Sequence, residues 1–282
     1  MFGRTIHPEE GTMTRSAIHR LATVATALVG LAAGRSVVYA QEPAIPPAPM
    51  SALAPANLAK PRPAAPFNLT GNWFIDNSPG IQGWLFGPAT IPKLKPEAQK
   101  HRDAYVKAIA DGKVYRDDIG QCWPAGVPII MTRVWPIAMI QLPTVIYMVS
   151  EFMNSLRVVY LDGRPHTDPD LVVRTFNGES IGRWEGDALV VDTRNFTDDP
   201  HHWVDQGVPA SGELRIVERI RLINGGRTLE INMTLTDPKN WEGEWTGTRR
   251  WNRVDDIDIE EVECLPDLNE HLQSTSSKVH VR

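Results

Sequence analysis

The chain is poor in cysteine, with two among 282 residues. It has no apolar run long enough to span a membrane. It also lacks a basic surplus, since 29 Lys and Arg stand against 34 Asp and Glu. The short motifs that name a reaction are missing too: no G-x-S-x-G elbow, no H-E-x-x-H, no P-loop and no G-x-G-x-x-G. Each absence removes a class. An acidic chain offers no electrostatic footprint for nucleic acid, and the short cluster Arg249, Arg250 and Arg253 lies among acids. A thiol nucleophile needs a free, activated cysteine. An even count in an exported chain favours a Cys122–Cys264 disulfide instead. That bond closes a loop of about 140 residues, on the order of 4–5 kcal/mol in the chain-entropy model.

What is present begins with an export signal. Arg15 and Arg20 precede the apolar run Leu21–Gly34, and Val38-Tyr39-Ala40 is a small-residue cleavage site. Residues 1–40 therefore read as a signal peptide, with an uncleaved membrane anchor as the alternative. The charged segment before Met13 is unusual for a signal and marks Met13 as an alternative start. Removing the four Arg and two Glu of that region leaves 25 basic and 32 acidic residues, a formal charge of −7. Residues 41–66 are Pro- and Ala-rich and read as an extended linker. Residues 67–270 are enough for one hydrophobic core, and 271–282 form a tail.

One helix is predicted, Pro96–Asp111, with Pro at its start, Glu97 in its first turn and Gly112 as its stop. The rest reads as short strands over 127–142, 144–152, 156–161, 180–184, 188–196, 213–223, 227–236, 244–252 and 257–262. Tight turns join them: Asp162-Gly163, Glu185-Gly186-Asp187 and Asn224-Gly225-Gly226. Strands in series without interleaved helices make an antiparallel meander. Nine or ten of them suggest a mainly β fold, an antiparallel β-barrel or strongly bent sheet with one flanking helix, because closure removes exposed edges. A two-sheet sandwich is the competing architecture. Alternation places Glu218 on the apolar face of its strand, with Leu214, Ile216, Ile220 and Leu222. Glu151 falls with Val145, Tyr147 and Val149. A carboxylate on such a face must be paired, hydrogen-bonded or kept neutral.

Functional groups crowd Arg157–Thr193. Asp162, Arg164, His166 and Asp168 follow a strand within seven residues. His166 is the candidate general acid or base, oriented by Asp162 or Asp168, with Glu151 or Glu218 as the second acid or base. Arg164 and Arg183 would stabilise negative charge. The alternative is an Asp-Gly turn braced by an Arg–Asp pair. Nine tryptophans is a high count. Trp123, Trp135 and Trp184, with Tyr160, are the candidates for a pocket, and most of the others belong to the core. Asp198, Asp199, His201, His202 and Asp205 could hold a divalent ion. Adjacent histidines do not project to one point, so a solvated loop with Trp203 tucked inward is expected, without a metal or cofactor. Ser180 could act as a nucleophile only if His166 approached it across strands.

These motifs resemble those of a family of uncharacterised exported bacterial proteins. The family runs from a G-x-W strand through C-x-P-x-G and YLDGRPH to S-I-G-x-W-E-G-D-x-L-V-V-D-T, an E-R strand and a late cysteine. Here they stand as Gly71–Trp73, Cys122–Gly126, Tyr160–His166, Ser180–Thr193, Glu218-Arg219 and Cys264. Two histidines common in the relatives are replaced by Glu179 and Ala210. The resemblance implies kinship without an activity. Asn68–Trp73 (NLTGNW) is also similar to the opening strand of lipocalin-type barrels, which implies an interior cavity. The expectation is a periplasmic or secreted enzyme doing hydrolase, lyase or isomerase chemistry on an apolar or aromatic small molecule in a barrel cavity. It would act without nucleic acid and without a membrane span after signal cleavage. A lipocalin-like carrier is the alternative, and a tethered structural envelope protein ranks last.

Overall fold

A computed structural model of the chain describes residues 49–76, 91–113, 115, 118–133, 135–262 and 264. The chain divides into two units, Met1–Pro47 and Ala48–Arg282, and the described residues all belong to the second. The expected signal, the tail and Trp84 lie outside them.

Among the described residues two α-helices and eleven strands follow one another. They are α1 (Pro55–Leu58), β1 (Gly71–Ile75), α2 (Pro96–Ala110), β2 (Ile137–Gln141), β3 (Val145–Ser150), β4 (Ser155–Tyr160), β5 (Glu179–Glu185) and β6 (Ala188–Arg194). Then come β7 (Trp203–Asp205), β8 (Val208–Pro209), β9 (Arg215–Ile223), β10 (Thr228–Thr236) and β11 (Trp245–Val254). Nine strands close into a barrel, and β7 and β8 pair separately. Around the ring the order is the order along the chain, β1 to β6 and then β9 to β11, which pairs back to β1. The mainly β barrel is thus the architecture, and the sandwich is not.

A closed ring with an odd number of strands cannot alternate direction throughout. One neighbouring pair must run parallel. Here it is β4 with β5, joined only through Val159–Ser180 and Tyr160–Ile181, while every other junction in the ring is antiparallel. Parallel neighbours cannot share a tight turn and need a crossover. Residues 161–178 are that crossover, so Asp162-Gly163 opens a long return and not a hairpin. Gly163 sits at φ +82°, where glycine pays no Cβ penalty. The β5–β6 and β9–β10 connections do turn where Gly186 and Asn224–Gly226 predict.

Several expectations shift. The run 127–142 is a strand only from Ile137; Pro128 and Pro136 cannot donate to a ladder, and Ile129–Met131 make a 3-10 turn instead. Residues 257–262 form no strand. On β3 the inward face is Ile146, Met148 and Ser150, so Tyr147, Val149 and Glu151 point the other way. The six residues VIYMVS are nearly all apolar, and alternation could not tell their two faces apart. Within the expected linker, residues 50–62 are docked: Thr144 Oγ1 donates to Ala52 O at 2.7 Å, and Asn57 Nδ2 donates to Asp162 Oδ2 at 3.0 Å.

Trp73, Trp241, Trp245 and Trp251 are fully buried, as the core reading of most tryptophans anticipates, and truncating one costs on the order of 3–5 kcal/mol. Arg253 lies 4.3 Å from the Trp73 ring and donates to Thr70 O and Asn68 O, tying β11 to the entry of β1. The Cys122–Cys264 disulfide is formed. No described helix is long and apolar enough to cross a membrane.

Candidate functional site

The residues singled out in sequence separate into four places. The first is the crossover. Asp162 accepts from Arg164 Nε at 2.8 Å and Nη2 at 2.6 Å, and this guanidinium, helped by Asn57, holds the carboxyl down at about 2 against burial. Arg164 also donates to Met50 O at 3.0 Å and lies 4.0 Å from the Tyr160 ring. Asp162, Arg164 and Tyr160 thus clamp the 50–62 strap. His166 Nδ1 is 3.0 Å from Glu179 Oε2, and its Nε2 is 3.8 Å from Asp192 Oδ2. Glu179 also accepts from Thr167 N, Thr167 Oγ1 and Asn195 Nδ2. Burial opposes ionisation of Glu179, yet the Thr167 and His166 donors outweigh it and keep its carboxyl below the usual range. Asp192 is likewise held low despite burial, by His166, Arg215 and Arg194. Asp168, expected to orient His166, is exposed and accepts from Asp170 N within its own turn. The imidazole is oriented by Glu179 and Asp192, from β5 and β6.

The second place is the barrel interior. Glu218 is fully buried against Arg157, whose Nη1 donates to Oε1 at 3.0 Å. Arg157 Nε reaches Ser180 Oγ at 3.2 Å and Nη2 reaches Thr193 Oγ1 at 3.0 Å. Ser180 is therefore a partner of Arg157, and its hydroxyl lies 2.9 Å from Thr193 Oγ1. Third, Glu151 lines an open groove with Phe74, Trp135, Asp256, Ile257, Asp258 and Glu260, and accepts from Glu260 N at 3.4 Å. Fourth, Arg183 is exposed beside Glu185, and Trp184 packs edge-on against Phe67 at 4.9 Å. His166, Glu151 and Glu218 do not converge.

A half-open cavity of about 510 Å³ lies elsewhere, lined by no residue of the nine barrel strands. It sits beside the barrel end where β2 begins and β3 finishes, as Trp135 and Phe152 line it. From α2 and the chain after it come Tyr105, Ile109, Tyr115 and Ile119; Pro124, Ala125 and Ile129 follow. The remaining wall is His201, Trp203, Asp205 and Gln206, with Arg133 and Asp118 as further polar groups. Tyr105, Tyr115 and Trp203 meet edge to face, and Trp135 lies 6.0 Å from Phe152. Tyr105 Oη donates to Gln206 Oε1, fixing the β7–β8 turn to α2.

The sequence explains the wall. Trp203 and Asp205 share one face of β7, and His201 reaches the same cavity from the turn before it, where the His202 amide donates to Asp199 O at 3.0 Å. His202 and Val204 take the opposite face and are fully buried in the core. The loop expected to be solvated is instead a turn running into a short strand, with a dry side and a cavity side, and Trp203 is half-buried on the latter. His202 Nε2 lies 3.0 Å from Val127 O, and burial pushes its pKa down to about 4. Gly126 leaves it room: a Cβ there would fall 2.9 Å from His202 Nε2 and 2.5 Å from Phe176 O.

On the cavity side, Asp199 Oδ1 accepts from the His201 amide at 2.9 Å and lies 2.7 Å from His201 Nδ1. Burial would raise the Asp199 carboxyl, but these His201 donors keep it below its usual range. An ionised carboxylate only accepts, which assigns a proton to Nδ1, so in the neutral form of the ring Nε2 is the acceptor. Trp123 stacks on that ring at 3.6 Å and 4°. At the other end, Asp205 is 5% exposed, and burial raises its pKa against the Gln206 amide and the charges of Arg102, Arg133 and Arg249. Arg133 is pushed down to about 10 by the same burial. Among the described residues no group of three or more His, Cys, Asp or Glu could hold a metal ion.

Of the three tryptophans chosen for a pocket, Trp135 lines this cavity, Trp123 adjoins it through His201, and Trp184 is elsewhere. Asp199 and His201, weighed in sequence only as metal ligands, emerge as an oriented pair. No protein-family model matches the chain, and no curated protein matches it either.

Proposed function

We propose that the protein is an exported enzyme that carries out acid–base chemistry on a small apolar or aromatic molecule held in the cavity beside β7. His201 is the base, and the hydrogen bond from its Nδ1 to Asp199 is the observation that supports this most. A carboxylate behind an imidazole fixes the tautomer and stabilises the imidazolium that forms when Nε2 takes a proton. Trp123 limits rotation of the ring. A cavity of this size walled mainly by aromatic and aliphatic side chains, with a few polar groups, suits a ligand-sized apolar body. Among the described lining residues there is no Ser, Thr or Cys. Water activated by His201, or direct proton transfer, therefore fits better than a covalent intermediate. Isomerisation and elimination fit best, with hydrolysis by activated water next. The disulfide agrees with an oxidising compartment, and periplasm or extracellular space is the proposed location.

The test pairs a binding probe with turnover. N-phenyl-1-naphthylamine, an uncharged fused-ring fluorophore, should bind with enhanced emission, and Trp135→Ala should weaken it. Wild type and His201→Ala are then screened against aromatic esters, enolisable aryl ketones and β-hydroxy aryl ketones, with products read by mass spectrometry. The expected result is turnover that falls 10²–10⁴-fold in His201→Ala with probe affinity retained. Probe binding with no turnover of any class would favour the carrier. No probe binding would remove the cavity from the account.

A further inference from the structure

We infer that the occupant of this cavity is an elongated, uncharged aromatic molecule with a hydrogen-bond donor, such as a hydroxyl, at each end. The inference rests on the site proposed above and adds the class of molecule.

His201 and Asp205 both line the cavity, with Trp203 between them in sequence. They are four residues apart, so at most ~13 Å of extended backbone separates them. Each presents an acceptor. His201 offers Nε2, because Nδ1 is committed to Asp199 at 2.7 Å. Asp205 offers a buried carboxyl, of which Oδ1 accepts from the Gln206 amide at 2.7 Å, leaving further lone pairs. The indole of Trp203, which meets Tyr115 edge to face, and the Trp135–Phe152 stack supply aromatic walls to the same cavity. A flat body with a donor at either end satisfies both acceptors and leaves its rings against aromatic walls.

Charge argues against the alternatives. A carboxylate at one end would approach Asp199 behind His201, and at the other it would meet Asp205 as well as the guanidinium of Arg133, a like charge beside an opposite one. A cation at the far end would meet Asp205 but also the guanidinium of Arg133, which lines the same cavity. A buried polar group left without a partner is penalised, so sites built on acceptors reject molecules lacking donors.

The experiment ranks four molecules of one shape by displacement of N-phenyl-1-naphthylamine from the full-length protein. They are stilbene, 4-hydroxystilbene, 4,4′-dihydroxystilbene and stilbene-4,4′-dicarboxylate. Affinity should rise about tenfold with each hydroxyl, and the dicarboxylate should bind more weakly than stilbene. In His201→Ala the diol should fall to the level of the mono-ol while stilbene is unchanged. Equal binding of diol and stilbene, a tighter dicarboxylate, or no displacement by any of the four overturns the inference. The wild-type ranking decides this without any variant. Bound fluorophore with no such ranking refutes only the ligand class, whereas a fluorophore that never binds refutes the site as well.

Discussion

The molecule contains two histidine–carboxylate pairs of similar geometry: His166 with Glu179 at 3.0 Å and His201 with Asp199 at 2.7 Å. Their surroundings differ in kind. Glu179 binds its histidine and three donors from the crossover and β6, and the other nitrogen of His166 faces Asp192, itself held by two arginines. The His166 and Thr167 contacts tie residues 161–178 to the sheet, while Asn195, Arg194 and Arg215 bind the same two carboxylates from the sheet side. His201 has one carboxylate behind it, an indole over its face and a cavity before it. His166 Nε2 is buried without a hydrogen-bond partner, but His166 lines neither the groove nor the cavity, and its pair fastens a loop. A pair left with an open acceptor beside a cavity can meet a substrate. The difference lies in the space around the imidazole, which residue type does not encode.

The sharpest break of this comparison is turnover. His201→Ala should lose 10²–10⁴-fold, whereas His166→Ala should stay within about threefold because its interactions are structural. A reversed result in steady-state kinetics would exchange the roles. Next is a purely structural standard, the Arg157–Glu218 pair. Glu218→Gln leaves a buried guanidinium uncompensated and should cost ~3–5 kcal/mol in urea unfolding, while Arg157→Met with Glu218→Leu should recover most of it. An unchanged midpoint in the single variant would show that water reaches the pair.

A pH series follows. Folded His202 takes a proton only near pH 4, while in the unfolded chain it does so near 6.5. Between those values the unfolded state binds more protons. Stability should therefore fall as pH drops through that window, by up to ~3 kcal/mol. His202→Leu should flatten the pH dependence in that range and His166→Ala should not. For the crossover itself, His166→Ala should cost ~1–2 kcal/mol and speed proteolysis within 161–178. The smallest effect is at Arg183, 62% exposed, where alanine should change stability by less than ~0.5 kcal/mol.

Much of the barrel was legible. Alternation and the turn residues at Gly186 and Asn224–Gly226 place β5, β6, β9 and β10, and Glu218 falls on the inward face as the pattern requires. The parallel junction was not, because strand parity is a property of the closed ring. The inward face of β3 was not, because both its faces are apolar. The site was the least legible part. His201-His202-Trp203-Val204-Asp205 has period-two spacing, but β7 is three residues long and follows Asp198-Asp199-Pro200, which reads as loop. The YLDGRPH segment drew attention through its density of ionisable groups, and those groups mostly bind one another. Density of charge marked an anchored crossover, whereas the cavity is assembled from α2, 118–135 and 201–207, which no local pattern joins.

Photolabelling tests the central assignment most directly. Benzophenone, a small uncharged two-ring ketone that cross-links on irradiation, would be mapped by peptide mass spectrometry with and without excess N-phenyl-1-naphthylamine. The account predicts competed labels within 105–135 and 201–207. Labels concentrated within 160–194 and competed in the same way would contradict it, returning the chemistry to His166.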